Sequence, residues 1–245
     1  MSMPPQPPIT SGLRFEDPLV RRLVALAGTP EDASDVDAHL TAIVRLVVDI
    51  VAPADYASVT AYRHGGYTTV AASADVALAV DRAQYADETG PCLDAIETGR
   101  PTAVPEVATT MAWPGFRAAA EQMGLHGSLS VPLFAGRGTD VAALNLYSRD
   151  VSAMAPLSAR VRAVYDPYGT AGQDQPLLDA GSERFVAGLA AAFAVRATIQ
   201  QAIGAMMARG KLDEDRAYLM LRVRAAEENV PLVEIARTVL AEYRG

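Results

Sequence analysis

The 245-residue chain contains one cysteine, three histidines and one tryptophan. A single thiol closes no internal disulfide, so the fold must rest on its core, and a reducing compartment suits it. His39, His64 and His126 are widely scattered with no second cysteine among them, so no metal site is assigned. No glycine-rich loop stands between a strand and a helix, and no serine or cysteine has an evident histidine partner. The chain therefore reads as a non-enzyme, with no cofactor assigned. No window approaches the ~20 apolar residues of a membrane span, and no apolar stretch near the N-terminus resembles a signal-peptide core. A soluble, cytoplasmic protein is expected. Basic residues are also scarce: 21 Lys and Arg face 29 Asp and Glu, a net charge of −8. Such a balance excludes a broadly basic surface, and any contact with nucleic acid has to come from a local patch.

Half of the residues are apolar, and the length accommodates two ordinary domains. Behind Thr29-Pro30 and Ser34, residues Val36, Leu40, Ile43, Val44, Val47 and Ile50 recur at helical spacing, which predicts an amphipathic helix to about Val51. Tyr56 to Tyr62 and Tyr67 to Ala71 are β-rich runs separated by His64-Gly65-Gly66, a hairpin signal. Thr89-Gly90-Pro91 opens a short helix from Cys92 to Glu97 that Gly99 stops, and Pro101 to Val104 reads as extended. Phe116, Ala119, Ala120 and Met123 suit a further helix after Trp113-Pro114. Ser128 to Phe134 and Val141 to Ser148 flank Ala135-Gly136-Arg137-Gly138, a second hairpin. Helices alternating with hairpins predict an α+β fold with an antiparallel sheet over residues 18–150, following a flexible tail at 1–17. Pro156, Pro167, Gly169, Gly172 and Pro176 interrupt residues 151–181, which read as an irregular linker.

From Ser182 onward glycine and proline become rare, and Phe185, Leu189, Phe193, Ile199, Ile203 and Met206 form a helical stripe. That stripe either pairs with a second copy or packs on its own domain. The helix ends near Gly210, Asp213 caps a second helix, and Pro231 opens a third. Residues 182–245 are thus expected to form a connecting, coiled-coil-like helix and an all-α three-helix bundle.

Two ordered sets of motifs carry a family resemblance. Glu88-Thr89-Gly90-Pro91-Cys92-Leu93-Asp94-Ala95, Thr98-Gly99-Arg100-Pro101, Trp113-Pro114-Gly115-Phe116, Ser130-Val131-Pro132-Leu133 and Ala143-Leu144-Asn145-Leu146-Tyr147-Ser148 succeed one another as in actinobacterial GAF sensor domains. Arg196, Ile199, Gln201-Ala202-Ile203-Gly204, Met207-Ala208-Arg209-Gly210, Asp215-Arg216-Ala217-Tyr218, Leu221-Arg222, Asn229 and Leu232 with Ile235-Ala236 resemble the ANTAR domain. The resemblance implies a dimeric transcription antiterminator. Its GAF domain would sense a small ligand or redox signal, and its ANTAR domain would bind RNA stem-loops and so keep a terminator hairpin from forming.

Arg196, Arg209, Lys211 and Arg216 are the candidate phosphate partners, and Ala202 and Gly204 are small enough either for close helix packing or for a loop base to approach the backbone. Nine Lys and Arg face eight Asp and Glu over 183–245, a balance of +1 that leaves −9 for the rest. Ile203 stands where many relatives carry lysine and Pro231 where a basic residue is frequent, which implies a thin basic patch or one doubled by dimerisation. Cys92, Trp113 and Phe116 are the candidate ligand-pocket residues, with Cys92 either a thiol sensor at a helix start or a packed, unreactive side chain. Two other readings stand beside this one. The helical tail could bind a protein partner, or a GAF-type fold could act as a methionine sulfoxide reductase, a reaction for which Cys92 lacks a resolving thiol.

Overall fold

The computed structural model describes residues 17–166 and 176–244. Apart from Asp17, the expected N-terminal tail lies outside the described residues. Asp17 caps the first helix, α1 (Pro18–Gly28), its carboxylate accepting from the Leu19 and Val20 amides at 2.9 and 3.3 Å, with Pro18 pre-set at the first helical position. Residues 29–35 form turns, and the predicted helix begins behind Ser34, the second of its two start signals, as α2 (Val36–Ile50). Five strands follow: β1 (Tyr56–Arg63), β2 (Gly66–Ala72), β3 (Thr102–Val104), β4 (Gly127–Ala135) and β5 (Thr139–Ser148). They form one sheet in the order β2-β1-β5-β4-β3, with every neighbouring pair antiparallel. Between β2 and β4 lie α3 (Asp75–Ala86), α4 (Pro91–Thr98) and α5 (Pro114–Gln122). The expected α+β architecture is present.

Strand alternation divides the sheet into two different faces. Ala57, Val59 and Ala61 of β1, Leu129, Val131 and Leu133 of β4, and Leu144 and Leu146 of β5 belong to one large apolar core with α1 and α2. The intervening positions are small and polar: Ser58, Thr60, Ser128, Ser130 and Asn145, all buried. Register brings them together, because Asn145 lies opposite both Ser58 and Ser130. Helices α3 to α5 cover that second face, where Phe116, Ala77, Val80, Val107, Leu125 and Tyr147 make a smaller apolar cluster.

Part of the stretch expected to be an irregular linker is a helix, α6 (Met154–Tyr165), which buries Met154, Leu157 and Val161. Pro156 sits in its first turn, where proline removes no intrahelical hydrogen bond. The long helix α7 (Ala180–Gly210) then runs through both halves of the molecule. Its stripe is buried within this chain: Phe185, Leu189, Ile199, Ile203 and Met206 join the main core, and half-buried Phe193 meets Phe134 and Tyr165 edge-on at 4.8 and 4.7 Å. The reading of a helix packed on its own domain is the one observed. A Cβ on Gly188 would lie 2.7 Å from Cδ1 of Leu23, so glycine here permits α1 and α7 to approach closely. By length and composition α7 could cross a membrane, contrary to the sequence expectation, yet its stripe is occupied by protein. Helices α8 (Glu214–Glu228) and α9 (Leu232–Arg244) complete a three-helix tail, with Asp213 capping α8 through the Arg216 amide at 2.8 Å.

Candidate ligand site and nucleic-acid interface

The small polar face of the sheet surrounds one buried acid. Asp81 projects from α3 and is fully buried. Its Oδ1 accepts from Tyr147 Oη at 2.7 Å, Ser58 Oγ at 2.9 Å and Asn145 Nδ2 at 3.3 Å, and its Oδ2 accepts from Thr69 Oγ1 at 2.9 Å. Burial pushes the Asp81 carboxyl above the usual carboxylate range, and these four donors oppose it only in part. Tyr85 Oη continues the network to Thr60 and Thr69, both at 2.8 Å, while Gln84 bridges Tyr147 Oη and the Cys92 amide. Among the described residues, Ser128 Oγ and Asn145 Oδ1 are buried without a partner, leaving acceptor capacity facing the same region.

The network reaches a surface cleft at Tyr85. Tyr62, Tyr67, Tyr85, Glu88, Ile96 and Glu97 line about 660 Å³ beside the β1–β2 turn, a volume suited to a small molecule. Tyr67 stacks on Tyr85 at 6.2 Å and donates to Glu97 Oε1 at 3.0 Å. The tyrosine shelf thus joins an open cleft to a buried hydrogen-bonding network. Trp113 and Phe116 lie elsewhere: Phe116 is fully buried in the smaller apolar cluster, with Trp113 packed against it. None of Cys92, Trp113 and Phe116 lines the tyrosine cleft. Phe116 fills core here with Trp113 at its edge, while tyrosines and Glu97 border the open cleft.

Cys92 is fully buried in the first turn of α4. Burial, with the nearby Asp81 charge, pushes its thiol well above the ordinary value, the opposite of what nucleophilic attack requires. Labelling with a thiol-reactive disulfide reagent should therefore proceed at least about 100-fold more slowly in the native protein than in denaturant. Fast labelling of the native chain would contradict this placement and restore a thiol-sensor reading.

The RNA candidates in the tail divide into two groups. Lys211 and Arg216 are exposed, and Gly204 is exposed with open space where a Cβ would be. Arg209 is exposed too, although its guanidinium lies over the Tyr243 ring at 4.7 Å and donates to the Tyr243 carbonyl at 2.6 Å. Arg196 and Ala202 turn inward. Arg196 lies over the Phe134 ring at 4.9 Å, beside Asp140, and Ala202 is fully buried in the main core. The helical face bearing Ala202 is the same face that packs the tail together, so its side chain is withdrawn from solvent.

Tail and sheet domain are fastened at a seam that motif spacing did not reveal. Tyr218 of α8 donates to Glu31 Oε2 at 2.6 Å, and burial together with this bond raises its phenol. Arg222 Nη2 lies 2.8 Å from Asp32 Oδ1. From the β4–β5 turn, Arg137 pairs with Asp215 and lies 3.4 Å from Glu31 Oε1. Gly136, with φ of +55°, leaves no room for a side chain against Tyr218 and Glu31. Residues 29–35 and one hairpin tip therefore clasp α8.

An α+β domain built on a five-stranded antiparallel sheet is thus continuous through one long helix with a small helical tail. The chain belongs to the GAF domain family, whose model matches residues 33–160, and an ANTAR domain follows at 187–240. It is a GAF–ANTAR regulator, built of regulatory rather than catalytic domains. No curated protein matches the chain. Among solved structures, a domain described as that of a two-component sensor histidine kinase protein from Sinorhizobium meliloti 1021 is 12% identical, covering 74% of this chain and 100% of its own, with a TM-score of 0.41. That likeness carries no argument here.

Proposed function

We propose that this regulator is a cytoplasmic, signal-responsive RNA-binding transcription antiterminator, whose GAF domain controls how its ANTAR tail meets RNA stem-loops. The observation that carries the reading is the clasp between the two matched domains. Strand β5 begins next to the β4–β5 turn that holds Asp215 and ends with Asn145 and Tyr147 in the polar network. A small ligand in the tyrosine cleft that favours one setting of β5 thereby favours one setting of the tail, in proportion to its difference in affinity for the two. The ion pairs of the clasp are partly exposed and individually weak, which suits a reversible device.

Binding to transcript-derived stem-loops, followed by electrophoretic mobility at low and rising salt, tests the proposal. The double substitution Lys211→Ala/Arg216→Ala should weaken retention about tenfold or more and flatten the salt dependence, because each lost phosphate contact removes a released counterion. Failure of the wild-type chain to retain any stem-loop at low salt, with or without metabolites, would sink the reading.

One observation favours a second reading. Leu219, Met220 and Val223 are exposed on α8, where they border a groove of about 470 Å³ between α8 and α9. Because the α7 stripe is spent within the chain, a homodimer or a protein partner would use this face instead. A partner captured on it after nuclease treatment would support a protein-interaction regulator.

A further inference from the structure

Several arginines are held by a carboxylate. Arg63 pairs with Asp37, Arg137 with Asp215, Arg160 with Glu183, Arg222 with Asp32, and Arg224 with Glu228 and Glu242. Three that are not so held lie around one cleft. Arg21 and Arg22 of α1 and Arg45 of α2 are exposed and border a single cleft of about 590 Å³, floored by Ala42 and Leu46. Among the described residues, none of the three has a carboxylate within 4 Å. Arg22 approaches only Nδ1 of His39, at 3.4 Å, and that ring is itself 3.6 Å from Asp35. In a chain of net charge −8, three converging guanidiniums without counter-charges form the kind of local patch that a polyanion requires.

The cleft is continuous with the tail. Arg21 and Ala25 also line an adjoining cavity of about 790 Å³ of mixed charge, which Asp35 borders and whose tail side includes Arg222, Ala225, Val230 and Glu234. We propose that the α1–α2 cleft takes the sugar-phosphate backbone of an RNA strand flanking the stem-loop, so that the GAF domain itself contributes part of the RNA-binding surface. This rests on the RNA-binding reading above. Guanidiniums suit the task because they offer paired donors to phosphate oxygens without needing a base edge. The footprint spans both modules only while the clasp is closed, and RNA bound this way stabilises the docked arrangement.

The experiment uses the full chain and a stem-loop it retains, made both blunt and with single-stranded extensions on either side, followed by fluorescence anisotropy across salt. Arg21→Ala/Arg45→Ala alters two exposed side chains and should leave the melting temperature unchanged. It should weaken binding of the extended RNA about tenfold, reduce the salt slope by about one to two, and leave the blunt stem-loop nearly unaffected. Unchanged affinity for the extended RNA, with Lys211→Ala/Arg216→Ala still weakening both RNAs, overturns the cleft and leaves the function standing. No RNA retained by the wild-type chain overturns both. Loss of binding to anionic phospholipid vesicles in the Arg21/Arg45 variant, with RNA binding intact, also overturns the proposal and reassigns the cleft to a lipid surface.

Discussion

Asp81→Leu should cost the GAF domain about 3–6 kcal/mol, a large share of the ~5–15 kcal/mol that holds an ordinary domain folded. The carboxylate accepts from Ser58, Thr69, Tyr147 and Asn145 inside the protein, and leucine accepts from none of them. Asn145 retains Ser58 and Thr60, and Thr69 retains Tyr85, so the three hydroxyl donors lose about 1–2 kcal/mol each. Asp81→Asn keeps the shape and one acceptor and should cost less. The two variants also differ from the wild type in their response to pH. Burial raises the folded-state pKa of Asp81, so above the ordinary carboxylate value the folded chain still holds a proton that the unfolded chain has released. Stability from this group is complete below the unfolded value and declines as pH rises through the folded one. Urea melts followed by Trp113 fluorescence across that window should show the decline in the wild type and not in Asp81→Asn. A loss below about 1 kcal/mol for Asp81→Leu would mean that the network is not a structural keystone.

A chain ended after Gly181 should fail to fold as a GAF domain, although its family match stops at residue 160. The first turns of α7 bury Phe185, Val186, Leu189 and Val195 in the main core, alongside Leu19 and Leu23 of α1. Four such side chains represent roughly 6–12 kcal/mol of apolar burial, an upper figure because unfolded chains are already partly collapsed. Truncation at 181 leaves their partners facing water, and the product should bind a hydrophobic dye and aggregate. A chain ended after Gln200 retains those turns and should melt cooperatively. Equal, cooperative melting of both fragments would show that α7 contributes nothing to the sensor. The working boundary between modules is accordingly proposed to fall inside α7, not in the segment before it.

Much of the fold was legible because its elements carry local periodicity. The β1–β2 and β4–β5 hairpins have glycine-bearing turns between β-rich runs, and α7 to α9 have caps and apolar stripes. Helix α3 escaped notice because its buried face includes Asp81 and Gln84 beside Ala77 and Val80, so an apolar stripe never forms. Helix α6 was hidden by Pro156, a breaker everywhere except in a first turn. Size and reactivity single out Phe116 and Cys92, which lie buried in the smaller apolar cluster and beside Gln84 respectively. The polar network has a different signal, the alternation of Ser58 with Thr60 and of Ser128 with Ser130, small hydroxyls spaced by two in strands flanked by apolar residues. On its own that pattern reads as a solvent-facing edge, and only the covering helices make it an interior. The clasp left no local trace, because Tyr218 and Glu31 are 187 residues apart. Arg196 and Ala202 carried the right residue types for RNA, but one is held by Phe134 and the other is enclosed.

The two-faced sheet has a consequence for how such a protein changes over generations. Along β1, β4 and β5, residues that hold the apolar core and residues that meet the polar interior alternate one by one. A substitution of Ser58, Thr60 or Ser130 alters hydrogen-bonding chemistry without opening a void among Val59, Leu129 and Leu144. Conservative exchanges among these hydroxyls can therefore shift the polar interior while the apolar core on the opposite face stays as it is, and the two faces of one strand can change independently.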